Sequence, residues 1–282
     1  MLLTMALAGL MLGLGYALHY RSLPSETQAA AAYALPQRRT LAKSARFGGA
    51  MAWLLPSPCA AEHEAGRVVI DGIDATALTH SALVRQTVGG AKVKRLIDLA
   101  LAGALVAITA PVLVGAALAV RLTSSGPIFY RQERVGHAGK RFLLLKFRTM
   151  RVDAEAGGAV WARVHDDRVT KVGRFLRRTR IDEIPQAFNI IGGAMSFVGP
   201  RPERPEFTGL LDEAVPNYDL RHLVKPGLTG WAQVNYPYGA SVEDAAAKLS
   251  FDLYYIKHFS HVLDACIVVK TLKVALSGDG SR

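Results

Sequence analysis

The sequence predicts an α+β, mainly helical, membrane-associated protein: a re-entrant membrane helix plus a small cytoplasmic domain with a β-hairpin. Three observations predict it. Two apolar runs, residues 1–20 and 94–122, are long enough to enter a bilayer, which takes about 20 residues. Cations flank the second run on both sides. Downstream of it, strand-like alternation is followed by helix-like spacing.

The 282 residues carry a formal net charge of +11 although half of them are hydrophobic. That balance favours an anionic partner: nucleic acid, an anionic membrane surface, or phosphate-bearing substrates. Nucleic acid is set aside, because the apolar runs do not suit it and no binding module is recognisable. Two cysteines, Cys59 and Cys266, have no metal-ligand spacing. They exclude a disulfide framework or zinc site and imply a reduced, cytoplasmic globular part.

Residues 1–20, "MLLTMALAGLMLGLGYALHY", contain no charge. A signal peptide would begin with a basic region, and here the cations Arg21, Arg38, Arg39, Lys43 and Arg46 come afterwards. A transmembrane helix with its C-terminal end in the cytoplasm is therefore favoured over a signal peptide. Residues 21–93 read as a linker with local structure. An amphipathic piece spans 42–55, and a strand, a turn and a helix capped by Asp74 or Thr76 follow.

In the run 94–122, Lys92, Lys94 and Arg95 precede the apolar core, and Arg121, Arg131 and Arg134 follow it. A straight span would put one cluster outside, against the charge rule. Pro111, near the middle, removes a helical hydrogen bond and favours a bend. Asp98 lies three and four residues beyond Arg95 and Lys94, so the three can pair on one face at headgroup level. A re-entrant helix meets both constraints; a straight span with a tolerated proline is the alternative.

Residues 123–282 form the cytoplasmic domain, with interfacial helices. "IFYRQERVG" and "RFLLLKFRTM", joined by "HAGK", predict the hairpin, and Lys146 and Arg148 share one face of its second strand. That face is either a solvated edge or a phosphate contact. In "RRTRIDEIPQAFNIIGG", Arg174, Arg177 and Arg178 have helical spacing, and Pro185 opens the next helix. Ile184, before proline, is expected to leave helical geometry. Asp182 and Glu183 then sit at a helix N-terminus, either capping it or acting on phosphates bound there. Arg201, between Pro200 and Pro202, presents a stiffly held planar fork for phosphate oxygens. Pro226, Gly227 and Gly230 predict a turn that lets backbone approach a ligand. The final stretch is either an interfacial helix, with Tyr254 and Tyr255 near headgroups, or a core helix.

From residue 94 to about 276 the chain resembles the bacterial sugar transferase family, the monotopic phosphoglycosyl transferases. The motifs "KRLIDL", "SSGPIFYRQERVG", "KFRTM", "DDRVTKVGRFLRRTRIDEIPQ", "SFVGPRP", "KPGLTGWAQVN" and "FDLYYIKHFS" carry it, in order. The resemblance implies transfer of a sugar-1-phosphate from a UDP-sugar to undecaprenyl phosphate with release of UMP. It makes Asp182 the nucleophile and Glu183 the Mg²⁺ ligand, and puts Arg177 and Pro200-Arg201-Pro202 among the substrate-binding groups, which Lys146 and Arg148 are expected to join on the reading of the hairpin above. Arg95, Asp98 and Pro111 would belong to a membrane anchor in the bacterial inner membrane, with the catalytic domain facing the cytoplasm. Two-step transfer is coherent, since a covalent intermediate avoids direct attack of one anion on another. A glycosyltransferase releasing UDP and a basic membrane-surface scaffold are the rival readings, and a homodimer is left open. Three features depart from the family pattern: Ala110 stands before Pro111 where a serine is frequent, "NYPYGAS" replaces an Asn-Gly-Arg-Asn run, and residues 1–93 match neither short nor long members. "NYPYGASVEDA" resembles the branch found with exopolysaccharide export systems.

Overall fold

The computed structural model describes residues 88–154, 166–237, 239 and 241–277, with 62, 65–70, 73–76, 78 and 79 before them. The expected helix at 1–20 and the amphipathic piece at 42–55 lie outside the described residues. Chain from Gly66 onward forms one compact unit.

Helix α1 runs from Val88 to Thr123 with Pro111 inside it, longer at both ends than the apolar run. Its 90–123 stretch is long and apolar enough to cross a membrane, and little of it is covered by protein. Ala102, Ala116 and Val120 are buried, whereas Leu96, Ile108, Val114, Leu118 and Leu122 are exposed. One narrow stripe thus meets protein and the rest is an apolar face.

Both ends of α1 are tied to the same unit. Near the start, Arg95 donates to the carbonyls of Ile190 (2.6 Å) and Ile191 (2.7 Å). Asp98 is buried and accepts from Ser196 Oγ and from the Phe197 N–H, both at 3.0 Å. Lys94 bridges Asp98 (3.3 Å) and Asp264 (2.9 Å). The expected trio of Lys94, Arg95 and Asp98 therefore divides: Lys94 pairs with Asp98, while Arg95 serves the carbonyl end of another helix, where a cation is favoured. At the far end Arg148 donates to the Ser124 carbonyl (2.9 Å) and hydroxyl (2.7 Å).

The hairpin forms as expected, β1 (Phe129–Val135) antiparallel to β2 (Arg141–Phe147), with Phe129 opposite Phe147. Helix α2 (Lys171–Arg178), a short turn at Ile181–Glu183 and helix α3 (Gln186–Ile191) follow. Ile184 differs from expectation. It is helical (φ −55°, ψ −37°), because its N–H closes that turn on the Ile181 carbonyl and its own carbonyl accepts from Ala187 N–H. Two three-residue strands, β3 (Ser196–Val198) and β4 (Gly227–Thr229), pair in parallel. Helix α4 (Pro205–Ala214) lies between them in sequence, and α5 (Trp231–Asn235) follows β4.

Helix α6 (Val242–His258) opens on a reciprocal cap between Ser241 and Asp244. Its residues Leu249 to Ile256 are all buried, as in a helix enclosed on every side. Tyr254 and Tyr255 belong to this core, with Trp231, Leu253 and Ile267, so the core alternative holds for α6. Val68, Ile70 and Leu78, from the stretch expected to be linker, pack in the same cluster. There Asp74 accepts from the Thr76 N–H at 2.9 Å. Helix α6 ends at His258 and a second helix, α7 (His261–Ser277), begins after Ser260, so the last expected helix is two.

Candidate active site

The site begins where α2 meets Thr149, just past the end of β2. Thr170 caps α2 by accepting from Gly173 N–H at 2.9 Å. Gly173 lies so close to the Thr149 backbone that a Cβ would stand 2.0 Å from the Thr149 carbonyl oxygen. This approach brings Arg177 Nε within 2.9 Å of Thr149 Oγ1, directing the guanidinium inward. Arg180 then takes a left-handed conformation (φ 57°), rare for a residue with a side chain, and turns the chain into Ile181–Glu183.

Asp182 is 8 % exposed. Pro185 holds the N-cap position of α3 and no side chain caps that helix, so the capping alternative for Asp182 has no hydrogen bond behind it. Burial and the neighbouring Glu183 charge hold the Asp182 carboxyl above the usual range, against Lys146, Arg177 and Arg201. Glu183 goes the other way. Burial would raise its carboxyl, but the Arg201 charge and hydrogen bond outweigh that, with help from Arg180 and Lys146. Arg201 grips both Glu183 oxygens, one of them at 3.4 Å, and Arg180 stands 3.7 Å away. Two adjacent acids are thus separated in character: one firmly ionised, the other a carboxyl poised nearer neutrality.

Lys146 and Arg134 complete the ring of cations. Burial, then Arg134 and Arg177, push the Lys146 ammonium down to about 8. Burial likewise lowers Arg134, to about 10, although Glu203 opposes it. Gln132 Oε1 accepts from Arg134 at 2.6 Å and faces Lys146 Nζ at 3.5 Å. Five cations (Lys146, Arg134, Arg177, Arg180 and Arg201) stand against three carboxylates, Asp182, Glu183 and the Glu203 that pairs with Arg134 at 3.8 Å. That excess suits an anion carrying several charges.

Lys146, Arg177, Asp182, Glu183 and Arg201 come together, with Pro200 and Pro202 flanking the last. Arg148, Arg95, Asp98 and Pro111 do not join them. The first three bind α1 to the rest, and Pro111 lies within α1. Arg134 and Gln132 were missed. The signal was available: hairpin register puts Tyr130 opposite Lys146, so Gln132 and Arg134, at period two, share its face. The expectation for Gly227 and Gly230 needs a different reason. Added Cβ atoms would stand 2.1 Å from Gly199 N and 2.3 Å from Gly199 O, so the backbone they admit is that of Gly199.

Comparison with known proteins gives a family model, bacterial sugar transferase, matching residues 90–278. A UDP-N-acetylgalactosamine-undecaprenyl-phosphate N-acetylgalactosaminephosphotransferase of Aeromonas hydrophila is 43% identical over 67% of this chain and 45% of its own. A UDP-glucose:undecaprenyl-phosphate glucose-1-phosphate transferase of Escherichia coli K12 is 44% identical over 64% of this chain and 39% of its own. An exopolysaccharide production protein of Rhizobium leguminosarum bv. phaseoli is 37% identical over 64% of this chain and 92% of its own. The chain spans less than half the length of the first two.

Proposed function

The chain belongs to the bacterial sugar transferase family, and from that premise we propose that it moves a sugar-1-phosphate from a UDP-sugar to undecaprenyl phosphate, as the first membrane step of exopolysaccharide or other glycan assembly. One observation carries the reading: buried Asp182 lies beside Glu183, which Arg201 grips, with the cations Lys146, Arg177 and Arg201 set against the Asp182 carboxyl. In the first step a carboxylate oxygen of Asp182 attacks the phosphorus that bears the sugar. The bond to the bridging oxygen breaks and UMP leaves. In the second, an oxygen of undecaprenyl phosphate attacks the same phosphorus and frees Asp182. Burial of Asp182 strips water from the nucleophile, and Lys146, Arg177 and Arg201 hold the spread negative charge of the transferring group.

Mg²⁺ is commonly held by one or two carboxylates together with substrate phosphates. No group of three ligating side chains occurs among the described residues; the chemistry of the Asp182-Glu183 pair suits a cation that enters with the diphosphate, which would share Glu183 with Arg201. Glu183 would hold it, and bound Mg²⁺ supplies charge neutralisation at the phosphates.

The membrane reading is that α1 enters and leaves on one, cytoplasmic, face of the inner membrane. Its support is mechanical. Arg95 and Asp98 before Pro111, and Ser124 after it, are bonded to one compact unit, while Ile108, Val112 and Val114 between them are exposed. Ends held by one body reach opposite faces of a bilayer only if that body crosses too.

The test is incubation of purified chain, undecaprenyl phosphate and Mg²⁺ with a panel of UDP-sugars. UMP is the expected product. UDP would mean a glycosyltransferase, and no nucleotide product would favour a scaffold. Asp182→Asn should abolish both turnover and the labelled covalent adduct, whereas near-normal activity removes Asp182 from the mechanism.

A further inference from the structure

Arg201 is held by more than its own guanidinium. It lies in Gly199-Pro200-Arg201-Pro202-Glu203, where two prolines offer no N–H, so the carbonyls are the main backbone handles. All four carbonyls from Pro200 to Glu203 are taken, each at 2.9 Å. Pro200 accepts from Gly227 N–H, Arg201 from Arg221 Nη2, Pro202 from Arg134 Nη1, and Glu203 from Val135 N–H. Three elements outside the segment supply these donors: β4, the turn Tyr218–Leu223, and β1.

Of the two side-chain donors Arg221 is the more deeply buried, 7% exposed against 15% for Arg134, and it is braced. Its Nη2 also donates to Asp252 Oδ2 at 2.9 Å, and Nη1 donates to the Tyr218 hydroxyl. Arg221 and Asp252 side chains are 7% and 3% exposed. A buried ion pair is poor evidence for stability, since desolvation offsets its attraction. It is good at fixing a direction, and here one of its N–H groups is spent on the carbonyl of the residue that grips Glu183.

We infer that Arg221 is a positioning residue for the transfer, setting Arg201 against Glu183 by holding the Arg201 carbonyl, with Asp252 as its brace; the inference rests on the function proposed above. Lysine keeps the charge but has one donor centre, which does not span Tyr218, Asp252 and the Arg201 carbonyl at once.

The experiment is a double-mutant cycle on the purified full chain, reading UMP release at saturating donor and thermal unfolding. Arg221→Lys should lower turnover about 10- to 100-fold, the scale of a misplacement near 1 Å. In an Arg201→Lys background the same change should alter turnover by no more than about twofold, because its route is already cut. Effects that multiply independently would overturn the inference and leave Arg221 a purely structural residue. If Arg221→Lys does not fold, Asp252→Asn replaces it in the cycle, removing the brace at constant size. Amide exchange at Gly227 and Val135 is followed in parallel. Faster exchange in the variant marks the loosened segment, and unchanged exchange with unchanged turnover overturns the inference. Wild-type chain that releases no UMP from any donor would overturn the proposed function first, and this inference with it.

Discussion

Gly173→Ala tests whether the site depends on how closely α2 approaches β2. By helix propensity the change should help, by about 1 kcal/mol. The geometry opposes it. The new Cβ would meet Thr149 O at 2.0 Å and Thr149 C and Cα at 2.7 Å. A comfortable contact is about 3.5 Å, so the helix and the strand end must separate by roughly 1.5 Å. Every atom in the way is backbone, and no rotamer relieves it. Overpacking of this kind costs about 1–3 kcal/mol, enough to cancel or exceed the propensity gain. The separation also strains the Thr170 N–H bond to Thr149 O (3.0 Å) and the Arg177 bond to Thr149 Oγ1 (2.9 Å). Arg177 then drifts by about the distance that costs a hundredfold in rate. UMP release and thermal unfolding of the variant are measured together, with lower turnover and no gain in stability expected. A raised melting temperature with wild-type turnover would refute the close-approach argument.

Three further outcomes are expected. Arg201→Lys should weaken donor binding about tenfold or more, as loss of a charge-assisted fork implies, and unchanged donor affinity by titration would make Arg201 structural. Chelation of divalent metal should stop UMP release and added Mg²⁺ should restore it; full activity in excess chelator would remove the metal from the reading of Glu183. In a background lacking Cys59 and Cys266, cysteines placed by Gly89→Cys and Ser125→Cys should both resist an impermeant thiol reagent until the membrane is breached. Labelling of only one of them in intact cells would make α1 a straight span.

The hairpin was legible because its signal is local: alternation over seven residues a strand, with a turn between. Asp182 and Glu183 could be placed near a helix start because Pro185 marks one from its own covalent structure. What failed to show depends on distance. Strands β3 and β4 are three residues each, too short for periodicity, and are recognised only when Gly199 meets Gly227 across the fold. Arg221 and Asp252 are separated by 31 positions, and nothing in either neighbourhood announces the other. Tyr254 and Tyr255 read equally well as headgroup anchors or core, because amphipathic aromatics suit both, and packing separates the cases: Trp231 stacks on Tyr254, and the Tyr255 hydroxyl is bonded to Asp264. Arg95 and Asp98 were read as neighbours on one helix, whereas each had a partner about a hundred residues away.

The manner in which α1 is stitched at both ends bears on how this protein can be handled. A membrane anchor on a tether can be trimmed away to leave a soluble remainder. Here Ala102 fills a cluster with Leu144, Ile190 and Met195, and Val120 fills another with Phe147 and Leu176. Cutting α1 away would bare both clusters, strand the Ile190 and Ile191 carbonyls that Arg95 serves, and take the Asp98 acceptor from β3. A chain shortened at α1 for the sake of solubility would therefore be expected to expose both clusters and aggregate instead.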